Sequence, residues 1–351
     1  MIFFNLLVII LMFYGYKIIS FENGLKKNKR FTTLYPHGAS VVIAVRNEQN
    51  NIDNLVACLD NQTHPNLEII FVDDESSDNT VNEIKKFSHL KLLHSSGGKK
   101  QAIKKGISAA KNSIILTTDG DCFLNKFWAE KMLAPFINQE NIFVFGPVLY
   151  RNEINFFHKI QSLEFLSLII TGAGAAGENK AFICNGANLA FRKNVYEDSF
   201  FNITSGDDVF LLHQLKQKSK KINFIFDINA VVYTQAKNTL KLFLEQRKRW
   251  SSKSLNYIDK DAQIISWLVF LTNLFLILIL FLGTKNQIIT SLIIKFLIDF
   301  PILKNGAYMF KKERLLNYVL PLFLFYPFYI IYVAIVSQIT NFEWKDRKYK
   351  R

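Results

Sequence analysis

Residues Ile2 to Ile19 form an almost unbroken apolar run that leads straight into the basic cluster Lys26, Lys27, Lys29 and Arg30. A cleaved signal would place basic residues before the run and small residues after it. The pattern instead predicts an uncleaved membrane anchor over residues 1–21 with its N-terminus outside, then a basic cytosolic linker over 22–38. From Ala39 the pattern changes to short apolar runs of strand length, Ser40–Val45, Glu68–Val72 and Ser113–Thr117. Between them lie Asn51–Asn61 and Lys99–Ala110, whose apolar residues recur at every third or fourth position. Alternating strand and helix predicts a parallel sheet with crossover helices, a Rossmann-like α/β domain expected over residues 39–250. Ligands of such sheets bind beyond the carboxyl ends of the strands.

After Trp250 the chain becomes lipid-like again, in Ile264–Leu282, Ile288–Leu303 and Tyr318–Ile339. This predicts a C-terminal membrane region over 251–351 with two or three hydrophobic helices and a basic tail, Lys345, Arg347, Lys348, Lys350 and Arg351. The second segment carries Lys295 and Asp299 at i and i+4, the spacing of an ion pair inside a bundle, though an interfacial helix would read the same way. Were all three segments to cross, the basic tail would lie outside, against the positive-inside tendency. One is therefore expected not to cross, and Pro321 and Pro327 single out the last as a re-entrant hairpin. The expectation is a multi-pass membrane protein, of the inner (plasma) membrane in a bacterium, with its central domain cytosolic.

A formal net charge of +14 raises nucleic acid as a partner, but the basic residues gather beside the apolar runs and form no aromatic-interleaved stripe. Anionic membrane lipid is the better partner and nucleic acid is not expected. The three cysteines Cys58, Cys122 and Cys184 lack C-x-x-C spacing, so neither a disulfide framework nor a zinc site is supported.

Each strand run ends in polar groups: Arg46, Asn47 and Glu48 after the first, Asp73 and Asp74 after the second, Asp119 and Asp121 after the third. Carboxylates gathered at one edge repel each other unless a cation or hydrogen-bond donors compensate them, so the set asks for a metal ion and a hydroxylated ligand. In an extended backbone Asp119 and Asp121 point the same way, about 6.5 to 7 Å apart. All-oxygen ligation suits Mg²⁺ or Mn²⁺. Gly98-Lys99 opens a helix and suits an anion, although Lys100 stands where a P-loop needs Ser or Thr. Asp207-Asp208 precedes an apolar helix start, so one carboxylate is expected to cap the helix and the other to be available as a base, unless both only cap. On a helix, Gln246, Arg249 and Trp250 share one face, joining an amide, a guanidinium fork and an indole suited to a diphosphate and a sugar ring.

Gly172-Ala173-Gly174-Ala175-Ala176-Gly177 matches the dinucleotide fingerprint, with Asp198 beyond it. The run before it is not the first strand of a βαβ unit, and a short loop and strand are expected over Glu178–Cys184. A flexible small-residue loop is therefore the preferred reading.

In order, Val45-Arg46-Asn47-Glu48, Val72-Asp73-Asp74, Gly98-Lys99, Asp119-Gly120-Asp121, Asn185-Gly186-Ala187-Asn188, Gly206-Asp207-Asp208 and Gln246–Trp250 resemble glycosyltransferase family 2. These are inverting enzymes with a GT-A fold, whose membrane members include cellulose, chitin and hyaluronan synthases and ceramide glucosyltransferases. The resemblance covers roughly Ala39 to Trp250. It implies that Arg46, Glu48, Asp73, Asp74, Lys99 and Asp119 hold a nucleotide-sugar donor, with a UDP-sugar the family default. It further implies that Asp121 ligates Mg²⁺ or Mn²⁺, that Asp208 is the general base, and that Gln246, Arg249 and Trp250 frame the diphosphate and acceptor. The family often has Glu-Asp where this chain has Asp207-Asp208, so Asp207 shares the assignment. Many members also carry proline and tyrosine before Asn-Glu, where this chain reads Ala44-Val45-Arg46.

The leading expectation is single transfer to a lipid acceptor, because the membrane part is small and adjoins Gln246–Trp250. A processive polysaccharide synthase acting on a glycan acceptor is the closest rival, and it would draw further helices from a partner subunit. A non-catalytic sensor of nucleotide sugars is the alternative of a different class.

Overall fold

The computed structural model describes residues 2–196, 206–218, 220–344 and 347–349. Lys345, Lys350, Arg351 and Asp198 lie outside these residues, as do the side chains of Asp207, Arg347 and Lys348. The first helix, α1 (Ile2–Leu25), runs past the expected end of the anchor into the segment read as linker.

From Ala39 the predicted alternation is present. Strand β1 (Ala39–Val45) is followed by α2 (Ile52–Asp60), β2 (Leu67–Asp74), α3 (Thr80–Lys85), β3 (Lys91–Ser95), α4 (Lys99–Ala109) and β4 (Ile114–Thr117). Neighbouring strands pair in parallel, β1 with β2 and β4, and β2 with β3. Val41, Val42, Ile43, Ile70, Phe71, Val72, Ile114, Ile115 and Leu116 are all fully buried, as expected of strands covered on both faces.

Beyond β4 come β5 (Phe123–Leu124), α5 (Trp128–Leu133), β6 (Asn141–Phe145) and β7 (Val148–Arg151). Helices α6 (Phe156–Gly177) and α7 (Asp207–Gln217) follow, with β8 (Leu189–Arg192) between them and β9 (Lys221–Phe224) and β10 (Val232–Gln235) after them. The seven-stranded sheet has the order β3-β2-β1-β4-β8-β6-β9. Strand β8 is antiparallel to both β4 and β6, an element the periodicity did not disclose. A small sheet, β5-β10-β7, completes this part. The result is the Rossmann-like α/β sheet that the sequence predicts, of the GT-A kind that the resemblance implies, but mixed where a parallel sheet was expected, because β8 runs against its neighbours.

The chain divides into two compact units, one of Asn28–Arg151 and Ile183–Gln235, the other of Met1–Lys27, Asn152–Phe182 and Ala236–Arg351. Residues 152–182 and 236–250, read from the sequence as parts of the central domain, thus fall in the second, helical unit.

That unit contains α1, α6, α8 (Leu240–Ser251), α9 (Lys260–Leu282), α10 (Lys285–Met309) and α11 (Val319–Ile339). Among the described residues five helices are long and apolar enough to cross a membrane: α1, α6, α9, α10 and the segment Glu313–Ile339 that contains α11. Helix α11 is continuous through Pro327, so the re-entrant hairpin expected there is not formed. Pro321 lies in its first turn, where a missing N–H costs little, and a proline inside an apolar helix is tolerated when neighbouring groups satisfy the freed carbonyl. Helix α10 starts with a capping box, Thr284 with Gln287, which marks its N-terminus sharply.

The small-residue run 172–177 is helical, the last turns of α6, and not a flexible loop; no strand forms over Glu178–Cys184 either. Its glycines are where α1 and α6 touch. A Cβ at Gly24 would lie 2.0 Å from the Gly174 carbonyl oxygen, and one at Gly177 would lie 1.9 Å from that of Gly24. Only hydrogen fits at such a backbone contact, the mode by which small residues bring apolar helices together.

Lys295 and Asp299 of α10 form the expected pair, and Lys295 is only 3% exposed. Tyr14 of α1 completes it, its hydroxyl donating to Asp299 at 2.8 Å.

Candidate functional site

The site is built on the carboxyl ends of β1, β2 and β4. Arg46, just after β1, donates through one guanidinium nitrogen to the carbonyl oxygens of Asp74 and Glu75, at 2.7 and 2.8 Å. The two turns it joins each contain a non-glycine residue in the left-handed region, Asn47 at φ +52° and Glu75 at φ +55°. That strain is held by mutual hydrogen bonds: Asn47 N–H donates to the Ser76 hydroxyl at 3.1 Å, and Ser77 N–H donates to the Asn47 side chain at 2.9 Å.

Glu48 is 7% exposed, and its carboxylate accepts from the Asn51 side chain at 2.6 Å. Its own N–H donates to the Thr80 hydroxyl, which in turn donates to Asp78. Burial acts to raise the Asp78 carboxyl, but donors from Thr80 and Gln49 outweigh it and hold it below the usual carboxylate range. Asp73 accepts from Ser76 N–H at 3.3 Å and has the His94 ring 3.5 Å away. Asp74 is 1% exposed and accepts from Gly98 N–H at 2.9 Å. Of the residues expected to hold a nucleotide, Arg46 and Asp74 are thus visibly engaged in shaping the cradle, Asp74 by fixing the start of α4.

Lys99, the first residue of α4, forms an ion pair with Asp119 in the loop after β4. Gly120 packs so closely on this cradle that a Cβ there would lie 2.9 Å from Cγ of Glu48. Asp121 is half-buried, and among the described residues no cation neutralises it. Next to it, burial and the charges of Asp121 and Asp119 push the Cys122 thiol up, which keeps it protonated and inert as a nucleophile.

Among the described residues no three His, Cys, Asp or Glu side chains form a metal cage. Asp121 beside the Lys99–Asp119 pair is nonetheless a hard oxygen donor of the kind that would hold Mg²⁺ or Mn²⁺.

Asp208 lies in the first turn of α7, behind Gly206 at the N-cap. One carboxylate oxygen accepts from Val209 N–H and the other from Gly186 N–H, both at 2.8 Å. The Gly186 carbonyl in turn accepts from the Thr117 hydroxyl at 2.8 Å. Thr117 ends β4, two residues before Asp119, so Asp208 is tied through one loop to the strand that carries the Asp119-Gly120-Asp121 turn. Asn188, fully buried, holds that loop: it accepts from Trp128 Nε1 at 2.9 Å and donates to the carbonyls of Pro147 and Ala230. The N-cap position expected for an aspartate is held by Gly206, and Asp208 satisfies the first-turn amide of Val209 from inside the helix; the side chain of Asp207 lies outside the described residues.

In sequence and in fold the chain is similar to known proteins. Residues 40–200 match the sequence profile described as Glycosyl transferase family 2. The chain carries a glycosyl transferase family 2 domain. A poly-β-1,6-N-acetyl-D-glucosamine synthase of Staphylococcus epidermidis is 25% identical over 235 residues, 64% of this chain and 56% of the synthase. The glycosyltransferase GlyG of Streptococcus pneumoniae serotype 4 is 28% identical over 217 residues, 57% of this chain and 72% of GlyG. The chain therefore spans little more than half the length of the synthase it matches. Among solved structures, the mannosyltransferase PcManGT of Pyrobaculum calidifontis, in complex with GDP-Man and Mn²⁺, superposes with a TM-score of 0.62 at 14% identity, over 95% of this chain and 98% of that one. At that identity the likeness is one of fold. The family match ends before Asp208 and before Gln246–Trp250, so those residues rest on the resemblance of their own motifs.

Gln246, Arg249 and Trp250 belong to the other unit, on α8, where all three are half-buried. Between them sits Arg247, a residue passed over in the sequence because it lies off the face the other three share. It is 3% exposed and ion-paired with Glu164 of α6. No local spacing connects those two, and only an apolar helix with a lone buried carboxylate hinted that Glu164 needed a partner.

Proposed function

We propose that this domain transfers a sugar, with inversion, from a nucleotide diphosphate sugar to a membrane lipid acceptor at the cytosolic face. A UDP-sugar is the donor favoured by the family default. The observation that carries this reading is the Asp208–Gly186–Thr117 connection, which ties a half-buried carboxylate to the strand whose end bears Asp119 and Asp121.

In this mechanism the cradle of Glu48, Asp73 and Asp119 receives the nucleoside, and Lys99 exchanges part of its pairing with Asp119 for the donor's phosphate oxygens. Asp121 would hold Mg²⁺ or Mn²⁺, and when bound the ion would supply charge stabilisation for the departing diphosphate. The Mn²⁺ in the PcManGT complex agrees with this. Asp208 accepts the proton of the acceptor hydroxyl as that oxygen attacks the anomeric carbon, and the Gly186 amide holds its carboxylate in place as it does so. A single in-line displacement inverts the anomeric centre. Gln246, Arg249 and Trp250 keep the role their motif implies, toward diphosphate and acceptor. The basic cluster after α1 favours a cytosolic domain.

A processive polysaccharide synthase is the second reading, favoured by the 25% identity to the poly-β-1,6-N-acetyl-D-glucosamine synthase. The deciding experiment incubates the purified protein with labelled nucleotide sugars, Mg²⁺ or Mn²⁺ and a membrane lipid extract, and sorts label into lipid-soluble and polymeric fractions. Metal-dependent label in the lipid fraction supports the first reading. Label in polymer moves the assignment to the synthase, and none in either fraction with any donor removes both.

A further inference from the structure

Arg247, inside the Gln246–Trp250 motif, and Glu164 form a deeply buried ion pair, 3% and 4% exposed at their side chains. Both guanidinium Nε and one terminal nitrogen of Arg247 donate to the Glu164 carboxylate, which also accepts from the Tyr329 hydroxyl at 3.2 Å. The remaining terminal nitrogen donates to the Gln246 side-chain oxygen at 2.7 Å. The guanidinium carbon lies 4.3 Å from the centroid of the Trp250 ring system and 4.6 Å from that of Phe243. Trp250 is backed in turn by Phe165 of α6 at 5.5 Å.

A buried pair contributes little net stability compared with apolar residues of the same volume, because both charges lose their hydration. Direction is what this one supplies. A guanidinium is a rigid plane, so fixing its edge on Glu164 also fixes the amide that binds its other terminal nitrogen and the indole packed against it. Those two groups are the amide and the aromatic of the motif. We infer that Arg247, locked by Glu164, is a positioning residue that sets the orientations of Gln246 and Trp250 for transfer. The inference rests on the proposed reaction for its kinetic consequence, but not for its structural one.

The test compares Arg247→Lys and Glu164→Gln with the wild type in the full-length, detergent-purified protein. Lysine keeps the charge and one bond to Glu164 but offers no fork for Gln246 and no plane for Trp250. Expected for Arg247→Lys are a folded protein by size exclusion, unchanged donor KM, and kcat for transfer lower by on the order of 10- to 100-fold, the scale of a misplaced contact. Trp250 provides a second readout: the fluorescence difference between wild type and Trp250→Phe reports that indole, and it should shift in both variants. Wild-type kinetics together with an unchanged difference spectrum in folded Arg247→Lys overturns the inference. A loss of transfer only in proportion to the loss of folded protein, with the spectrum unchanged, overturns it too. If the wild type itself transfers no sugar, the reaction proposed above fails, and the spectral comparison still decides whether Arg247 orients Trp250.

Discussion

The amide of Gly186 donates to the carboxylate of Asp208 at 2.8 Å, joining the loop before β8 to the first turn of α7. The same loop is fastened to Thr117 at the end of β4, two residues before Asp119.

Asp208→Asn should leave the fold intact, because the amide oxygen of asparagine still accepts from Gly186 and only the bond from the first-turn Val209 N–H is lost. It cannot take up a proton. Transfer kcat is expected to fall by about 100- to 10,000-fold, the usual contribution of a positioned base, with donor KM little changed. Steady-state kinetics on the purified variant check this, and near-normal kcat would move the base to another residue.

The helical unit makes a separate prediction at Gly174. A Cβ there would meet the carbonyl oxygen of Phe21 at 2.2 Å, so a larger residue must push α1 away from α6. Gly174→Val is expected to cost roughly 1–3 kcal/mol by overpacking. Thermal unfolding in detergent reads it as a lowered midpoint, whereas Ser167→Ala on the same helix should change it little.

Lys295 and Asp299 predict a non-additive pair. Lys295→Leu alone leaves the half-buried Asp299 carboxylate with the Tyr14 hydroxyl as its partner, and should destabilise by about 1–3 kcal/mol. The double variant Lys295→Leu/Asp299→Leu removes both charges from apolar surroundings and is expected to be near wild type or more stable. Additive losses in the double-mutant cycle would show that each charge has a partner of its own.

His64 predicts a pH effect in the sheet unit. Its ring is 8% exposed and bonds to the His37 carbonyl at 3.1 Å. Burial is the largest influence and holds its pKa below the usual 6.5, although the His37 bond and Glu130 oppose this. The folded state then resists a proton that the unfolded state accepts. The stability His64 contributes is present above about pH 6.5 and is lost as pH falls through the lower folded value. Midpoints measured between pH 7.5 and 5 should decline, and His64→Gln should flatten that part of the slope.

How far the chain can be read without its fold depends on the range of the interaction concerned. Strands β1, β2 and β4, helices α2 and α4, and the apolar segments of α1, α9, α10 and α11 were legible because each is written in a period of two or about four, or as an unbroken apolar run. The Asp-bearing strand ends and the Gln246–Trp250 motif were legible because their spacing is itself the signal. The antiparallel strand β8 was not, since its direction depends on a connection that leaves the sheet and returns. Nor was the helical state of 172–177, where glycines that suggest a loop in isolation are instead the surface on which α1 rests. Residue types and short spacings thus carried the fold class and the chemistry to expect. Which carboxylate is held by the Gly186 amide, which fixes the start of α4, and which arginine of the motif is buried against Glu164 were decided by partners far away in the chain, because hydrogen bonds and burial act through space and leave no periodic trace along the sequence.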